Sequence, residues 1–353
     1  MSVLFAIILF SLLIFVHELG HFVAAKLSGV QVNEFSMFMG PALWSRQIGE
    51  TLYAIRLIPI GGYCAMEGEE DGSDNPRSFG KAAWWKRVII MVSGAAVNFL
   101  VGVALMVIVY LPVGQVVVPV IDSFESFSTI NGPEGLQVGD RILEVDGETI
   151  YVQSDMSLIF QLNPGEVHDL VVKRDGKKVA LPNFPMETHP VTDAQGNTRR
   201  LFGMNLTIEK LDLPGRLRYA WNQSLDAARM VRLSLQMLVK GQVGLRDMAG
   251  PVGIVQQMSV VADSSPTRLD ALMNMLSFGG FIAINLAVMN LLPIPALDGG
   301  RVVGVLITTA VEAVTKKKMN PKYEGYLHGA GMILLLGLMA LIMFKDIFVL
   351  IRG

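Results

Sequence analysis

The chain has 353 residues, of which 52% are hydrophobic and only 17% are charged, and its mean hydropathy is +0.47. This composition excludes an ordinary soluble domain and indicates a polytopic membrane protein. The formal net charge of -2 and the lack of a basic cluster give no argument for nucleic acid, so no such partner is expected. Cys64 is the only cysteine, which excludes an internal disulfide.

Four apolar stretches are long enough to cross a bilayer as helices, which takes about 20 mostly apolar residues. They cover residues 1–27, 88–111, 269–292 and 327–351. A further apolar run over residues 301–314 predicts a helix lying against the bundle.

Basic residues predict the orientation of these spans. Lys and Arg are frequent between the first and second spans and between the third and fourth, whereas the extreme N-terminus has none. Both connections are therefore expected in the cytoplasm and both termini outside it. The long segment over residues 113–270 is then extracytoplasmic.

A small β-rich domain is predicted within this external segment. The stretches DRILEVDGETI and DLVVKRDGKKVAL each place Asp-Gly between alternating apolar residues, which is a strong hairpin signal. Between them, SDMSLIFQLNPG predicts a short helix capped by Ser154 and stopped by Asn163, Pro164 and Gly165.

An amphipathic helix is predicted after this domain, because apolar residues recur at helical spacing from Leu217 to Leu238. We expect it to rest on the membrane surface with its basic side chains at the headgroups. Packing on the soluble domain is the alternative. The expected organisation is a membrane half over 1–112, the inserted domain over 113–212, the surface helix and linker over 213–268, and a second membrane half over 269–353.

The first connection contains two stretches with strand character. VQVNEFSMFMG and TLYAIRLIPIGGYCAM are rich in β-formers and are punctuated by Gly and Pro. A juxtamembrane sheet formed by them would have an edge available for pairing with another strand.

The first span carries the most informative motif, LIFVHELGHFVAA, over residues 13–25. His17 and His21 are four residues apart, so both rings project from one face of a helix and can hold one ion, for which Zn(2+) is expected. Glu18 lies beside the first ligand, where it can take a proton from the attacking water and pass it to the leaving amine. A chance match is disfavoured because ionisable groups within a span are costly and usually functional.

Asp298 is the preferred third ligand. It is the only carboxylate over residues 271–311, and the neighbouring prolines and glycines of NLLPIPALDGG should break the helix and turn it inward. His328, near the cytoplasmic end of the fourth span, is a second candidate on topology alone. His168 and His189 lie in the external domain.

These motifs resemble those of a known family. The chain looks like the site-2 protease family of intramembrane zinc metalloproteases, and more closely its bacterial regulator of sigma E protease branch. The resemblance rests on HELGH, GVQVNEFSMFMGPAL, IRLIPIGGYCAMEGE, SFGKAAWWKRVIIMVSGAAVNF, AGPVGI and NLLPIPALDGGR, which are spread over nearly the whole chain.

The resemblance implies a fold and an activity. His17, His21 and Asp298 would be zinc ligands and Glu18 the catalytic base, in a polytopic α-helical protein with a juxtamembrane β-sheet and one inserted extracytoplasmic PDZ domain (α+β). The chain would lie in a bacterial inner membrane. Its substrates would be membrane-anchored proteins, such as anti-sigma factors or signal-peptide remnants.

A substrate helix must be unwound before its carbonyls become accessible, so groups that replace its hydrogen bonds are expected near the metal. The side-chain amides of Asn285 and Asn290 are candidates. The sheet edge around residues 57–63 is another, because it could bind the substrate by strand addition. The predicted substrate-binding residues are Asn98, Asn285, Asn290, Pro293, Pro295, Leu57, Ile58, Pro59, Gly61 and Gly62. The PDZ domain would be a receptor for peptide C-termini or a size filter.

Two features depart from the family pattern. Ala95 stands where the usual Gly-Pro-x-x-Asn-Phe motif has proline, which predicts altered local geometry with Asn98 retained. Arg301 stands where some relatives carry histidine.

Two other classes of protein compete with a protease. One is a non-catalytic PDZ-bearing membrane scaffold with a structural metal, although structural zinc sites usually have four protein ligands. The other is a transporter with an intramembrane ion site, whose expected internal repeat is not visible in the sequence.

Overall fold

The computed structural model describes residues 2–69, 73–163, 165–192, 198–241, 243–244, 250–316 and 321–352. The helices are α1 (Ser2–Ser28), α2 (Trp84–Tyr110), α3 (Gln153–Leu162), α4 (Leu213–Val239), α5 (Pro251–Asp263), α6 (Arg268–Asn290), α7 (Asp298–Thr315) and α8 (Pro321–Arg352). The strands are β1 (Val32–Ile48), β2 (Thr51–Met66), β3 (Gln115–Phe124), β4 (Arg141–Val145), β5 (Glu148–Thr149), β6 (Val167–Arg174), β7 (Lys177–Pro185), β8 (His189–Thr192), β9 (Thr198–Leu201) and β10 (Met204–Lys210).

The chain divides into two compact units, one formed by residues 1–105 and 227–353 and the other by residues 106–226. Four helices are long and apolar enough to cross a membrane: α1 over Phe5–Ser28, α2, α6, and α8 over Gly329–Asp346. These are the four spans that the sequence predicts, and α7 coincides with the predicted fifth apolar helix.

Helix α1 lies in the core of the first unit. Its buried Ala6, Leu9 and Leu13 pack with Met258 of α5 and with Ile282 and Ala283 of α6. It ends at Gly29, whose φ of 82° is the left-handed conformation that commonly terminates helices.

Close backbone contacts fix the helices around α1. A side chain at Gly20 of α1 would lie 2.7 Å from the Ser93 carbonyl oxygen of α2, so these two helices touch through their backbones. Helix α2 continues through Ala95, which is fully buried at the position where the family pattern has proline.

A bend between α6 and α7 brings the start of α7 into the bundle. The φ of Ala296 is 81° within this bend, and the Leu297 N–H donates to the Ile294 carbonyl (3.1 Å). Gly331 of α8 has no room for a side chain, which would lie 2.6 Å from the Pro295 carbonyl oxygen. Pro293 and Pro295 lie in the break between α6 and α7, as predicted, whereas Gly299 and Gly300 lie in the first turn of α7 and not in the break.

Strands β1 and β2 fold into a sheet of four paired segments. Residues 32–37 pair with 62–66 on one side and with 52–55 on the other, and 51–55 also pair with 44–48. The bends between segments include Phe38, Gly40 and Gly61, all with positive φ. Residues 62–66, which we call the inner edge, therefore have one side without a partner strand among the described residues, and 44–48 form the opposite edge.

The second unit contains an antiparallel sheet in the order β10-β3-β4-β6-β7, with β5 paired to β4. Both predicted Asp-Gly hairpins are formed: Asp146 and Gly147 join β4 to β5, and Asp175 and Gly176 join β6 to β7, all four with positive φ. Residues of the sheet and of α3 form one hydrophobic core, which includes Ile142, Val172 and Ile159.

The predicted cap of α3 is wrong. The helix begins at Gln153, and Ser154 lies inside its first turn. Asp155 supplies the cap, because its carboxylate accepts hydrogen bonds from the backbone N–H of Tyr151 (2.5 Å) and Val152 (2.9 Å). A carboxylate in the third helical position reaches back to these N–H groups, which a serine at the second position cannot do as well.

Helix α4 covers the predicted amphipathic segment. Leu217, Trp221 and Leu238 are exposed, whereas Ala220 and Ala227 are buried. Its placement on a membrane surface stays a prediction.

Candidate active site

Helix α1 places His17 and His21 one turn apart on the same face. Their Nε2 atoms lie 3.1 Å from each other, and the two rings meet edge to face with centroids 4.7 Å apart. The side chains are only 12% and 9% exposed.

Asp298, the first residue of α7, completes this cluster. Its Oδ2 atom lies 3.2 Å from His17 Nε2 and 3.4 Å from His21 Nε2, and the side chain is 17% exposed. The three side chains form a group that can hold a metal ion, with ligand atoms all within 4.8 Å of one another. The structure thus brings together the three predicted ligands from opposite ends of the chain.

The spacing of these atoms fits zinc. Ligand atoms about 2.0–2.1 Å from a tetrahedral Zn(2+) lie about 3.3–3.4 Å from one another, close to the three distances observed. Catalytic zinc sites have three protein ligands and one open position, whereas structural sites usually have four. Among the described residues, the group contains three.

Hydrogen bonding orients the ligand atoms toward one point. His21 Nδ1 lies 2.8 Å from the Ile90 carbonyl oxygen, which can only accept, so Nδ1 carries the proton and the Nε2 lone pair faces the cluster. His17 Nδ1 and Asp298 Oδ2 are buried with no hydrogen-bond partner in the described structure. Because unpaired buried polar atoms are costly, the Asp298 oxygen is in the state expected of a ligand atom.

Gly94 of α2 provides the space for both imidazoles. A Cβ atom at this position would lie 2.8 Å from His17 Cε1 and closer still to His21 Nε2. Only glycine therefore permits this approach of α2 to the cluster.

Glu18 lies on the side of α1 that faces the inner edge. A Cβ atom at Gly62 would be 3.6 Å from Glu18 Cγ, which is ordinary van der Waals contact. A cavity of about 760 Å³ opens beside Glu18 and the three clustered side chains. Its wall includes residues 63–69, Asn290 and Arg301, so it joins the cluster to the inner edge.

Of the predicted substrate-binding residues on the helices and in the bend, one lines this cavity. Asn290 lines it, whereas Asn98 is buried in α2 with 1% exposure and Asn285 is on α6. Pro293 and Pro295 form the bend before Asp298. Their roles in binding stay predictions.

The residues predicted on the sheet edge occupy two positions. Leu57 and Ile58 are exposed on the far part of β2, and the Pro59 carbonyl accepts a hydrogen bond from Ser11 Oγ (3.4 Å). Gly61 forms the bend with φ 80°, and Gly62 begins the inner edge next to Glu18. The segment that lines the cavity thus starts at Tyr63, the last residue of the predicted edge.

Other residues at the site were not identified as functional from the sequence. The inner-edge residues Cys64–Met66 and the ion pair between Arg301 and Glu69 line the cavity. Arg301 follows Asp298 by one helical turn, which was the available signal for a shared face. No short sequence pattern indicates the contact of Glu69 with α7.

Two further side chains are of types that can bind metal ions. Burial raises the pKa of the Cys64 thiol, so this cavity-lining cysteine stays protonated and is a poor metal ligand. The side chain of His328, the second candidate ligand, lies outside the described residues.

Comparisons with known sequences identify the family of this chain. The sequence profile of peptidase family M50 matches residues 5–338. A Clostridium acetobutylicum protein whose name describes a zinc metalloprotease is 33% identical, with 98% of this chain and 97% of the relative covered. A similarly named protein of Fusobacterium nucleatum is 34% identical, with 98% of each chain covered.

A third relative is the regulator of sigma-W protease RasP of Bacillus subtilis, which is 27% identical with 98% of each chain covered. The family match confirms the resemblance drawn from the motifs, including the enzyme class and zinc as the cofactor. This chain therefore belongs to peptidase family M50 and is a membrane zinc metalloprotease of the site-2 type.

Proposed function

We propose that this protein hydrolyses peptide bonds within the transmembrane segments of single-span membrane proteins, with His17, His21 and Asp298 as zinc ligands and Glu18 as the catalytic base. The observation that carries the proposal is the meeting of the three ligand atoms, 3.1–3.4 Å apart, beside Glu18 at a partly enclosed cavity. A membrane-embedded zinc site open to a cavity suits a substrate that is itself in the membrane.

The chemistry follows from the positions of the side chains. Zinc held by these ligands would supply a Lewis acid that polarises a peptide carbonyl and acidifies a water molecule. Glu18 takes a proton from this water as its oxygen adds to the carbonyl carbon, and then delivers the proton to the amide nitrogen as the C–N bond breaks. The Ile90 carbonyl holds His21 in the required tautomer.

Glu18→Gln tests this assignment because it removes the base but preserves the side-chain shape. We expect cleavage of a single-span model substrate to fall by at least about 10²-fold, the usual contribution of a general base, while zinc content stays equal to wild type. His17→Ala is the matched variant and should lose zinc as well. Wild-type cleavage by Glu18→Gln would refute the proposal.

The inner edge is proposed to bind the unwound substrate. A transmembrane helix must give up its own hydrogen bonds before hydrolysis, and an unpaired strand edge can replace them. Residues 62–66 have a side free of described strand partners, and this edge reaches Glu18 at Gly62. We propose that the substrate adds there as a further strand.

Photo-crosslinking can locate the substrate. A photoreactive phenylalanine analogue in place of Tyr63, in the Glu18→Gln background, should capture the substrate. The same analogue at Trp44, on the opposite edge, is the control and should capture little. Equal capture at both positions would argue against strand addition at the inner edge.

The second unit is proposed to be a PDZ domain outside the cytoplasm that binds peptide C-termini. Strand β10 is at one edge of its sheet, and PDZ domains bind peptides by adding a strand to such an edge. Binding of peptides with a free C-terminal carboxylate, but not of their amidated forms, would support a receptor role. Absence of any binding would favour a size filter.

The proposed orientation places both termini and residues 113–270 outside the cytoplasm of a bacterial inner membrane. It rests on the basic residues of the two connections. Labelling of single-cysteine variants with a membrane-impermeant reagent, in a Cys64→Ala background, tests this orientation. A cysteine at exposed Val138 should be labelled from outside the cell membrane, and a cysteine at exposed Ile48 should not.

The name of the Bacillus subtilis relative, regulator of sigma-W protease, supports a regulatory substrate of the anti-sigma factor type for this chain as well. Signal-peptide remnants are the other substrate proposed. Membranes containing the Glu18→Gln form should accumulate single-span fragments that proteomic comparison with wild type can identify.

A further inference from the structure

An ion pair links the helix that carries Asp298 to the strand that lines the cavity. Arg301 Nη1 of α7 contacts Glu69 Oε1, just beyond the end of β2, and the side chains are 30% and 15% exposed. Both residues line the same cavity as Glu18 and the ligand cluster. This pair is not needed to bind zinc, because neither residue belongs to the group of ligand atoms.

The ion pair connects α7 on one side to the inner edge on the other. On the α7 side, Arg301 lies one turn after Asp298. On the strand side, Glu69 Oε2 also accepts a hydrogen bond from the backbone N–H of Met66, the last residue of the inner edge (3.4 Å). Met66 and the neighbouring Cys64 are buried in a cluster against which Val302 of α7 packs.

We propose that Arg301 is a positioning residue that, through Glu69, fixes the inner edge relative to Asp298 and thereby selects which peptide bond of the substrate is cleaved. The inference rests on the proposed strand addition at the inner edge. Successive residues of a strand are about 3.3 Å apart, so a small displacement of the edge presents a different carbonyl to the site. A slip by one residue would also turn every substrate side chain to the opposite face.

Arginine suits this role because its planar guanidinium has several fixed donors and keeps its charge when partly buried. One side of this group can hold Glu69 in a fixed orientation. Lysine would preserve the charge and part of the contact, whereas glutamine would remove the charge.

The test is a double-mutant cycle on the full-length protein in proteoliposomes. Wild type, Arg301→Gln, Glu69→Gln, the double variant and Arg301→Lys are compared on one single-span model substrate. The measurements are kcat and KM, the masses of all cleavage products, and the zinc content of each protein. Arg77→Gln is the control, because it breaks an ion pair with Glu50 (2.6 Å), in the turn between β1 and β2, and neither residue lines the cavity.

Each single glutamine variant should keep its zinc and should cleave at bonds adjacent to the wild-type position. Its kcat/KM should fall by about 10- to 100-fold, as expected for misplacement of a bound substrate by about 1 Å. The double variant should be no worse than either single variant, because the two residues act as one pair. Arg301→Lys should retain the wild-type product as the main one, and Arg77→Gln should match wild type.

Three results would overturn the inference. The first is wild-type rate and products in both single variants, and the second is losses that multiply in the double variant. The third is loss of zinc in proportion to activity, which would place the role in holding Asp298 rather than in selecting the bond. If Glu18→Gln cleaves normally in the same assay, the proposed function itself fails, and this is distinguishable from wild-type behaviour of the Arg301 and Glu69 variants alone.

Discussion

At the scale of single residues, the site depends on the space left by a glycine as well as on side chains that can bind a metal. The Nε2 atoms of His17 and His21 meet where α2 presents Gly94, and the Ile90 carbonyl of the same helix holds the His21 ring. The backbone of α2 therefore shapes a cluster whose ligands all come from other helices. A side chain at Gly94 would occupy the space of the imidazoles.

Gly94→Ala should accordingly abolish zinc binding and cleavage with little loss of helix content. The added methyl would lie 2.8 Å from His17 Cε1, so at least one ring must rotate away. Zinc analysis of the purified protein measures the effect, and circular dichroism reports the helix. Gly337→Ala is the control, because its Cβ would meet no atom within 4 Å; equal zinc content in both variants would contradict this reading.

At the scale of secondary-structure elements, short sequence patterns determine the turns of the second unit, and side-chain contacts with other elements add to their stability. The Asp-Gly turns of the second unit form as predicted because both central residues adopt the positive φ that these turns require. Asp146 has an additional role, since its carboxylate lies 2.8 Å from His168 Nδ1 and accepts from the Asn163 side chain (3.0 Å) and the Asp169 N–H (3.0 Å). The turn is thus connected to the end of α3 and to the start of β6.

Asp146→Asn should destabilise the second unit at neutral pH by about 1–3 kcal/mol, the range for hydrogen bonds to a charged group. Burial alone would raise the pKa of Asp146, but the hydrogen bonds from His168, Asp169 and Asn163 outweigh it and lower the pKa from its ordinary 3.8. The stabilisation is therefore complete above the unfolded-state pKa of about 4 and is lost as the pH falls through the lower folded-state pKa.

Urea unfolding of the full-length protein, followed by pulsed hydrogen exchange in β4 and β6, measures this difference. Wild type and Asp146→Asn should differ at pH 7 and converge as the pH falls below about 4. Asp175→Asn changes the other Asp-Gly turn, where the structure describes no side-chain hydrogen bond to the carboxylate, and is the control. A difference between wild type and Asp146→Asn that persists at low pH would contradict the carboxylate explanation.

At the scale of the whole molecule, the three proposed zinc ligands all belong to one of the two units. His17 and His21 lie in residues 1–105 and Asp298 in residues 227–353, which together form the first unit. Metal binding by these residues would therefore tie the two ends of the chain together within that unit. The second unit contributes no residue to the described ligand group.

Zinc removal should consequently loosen the first unit selectively. A ligand present at 100 times its Kd stabilises the folded state by about 2.7 kcal/mol, which is lost on chelation. Hydrogen exchange should become faster in α1 and around the start of α7 and stay unchanged in β3, β4 and β6. His17→Ala should not respond to the chelator, and equal loosening of both units in wild type would contradict the assignment of the ligands.

The sequence by itself determined the features that depend on short-range chemistry. The four spans follow from the length of apolar runs, the hairpins from Asp-Gly turns, the facing histidines from the four-residue spacing, and the break before Asp298 from the two prolines. Each of these reflects a property of neighbouring residues, so no knowledge of distant contacts was needed. The cap of α3 was mistaken because two neighbouring residues could supply it and only the helix start decides between them.

Only the tertiary structure decided which atoms of distant segments meet. It placed Asp298 Oδ2 against both histidines, lined the cavity with residues 63–69, and paired Arg301 with Glu69. These contacts join residues tens to hundreds of positions apart, and they need close approaches such as that of Gly94 to both imidazoles. Such packing depends on the shape of the whole bundle, which no local pattern encodes.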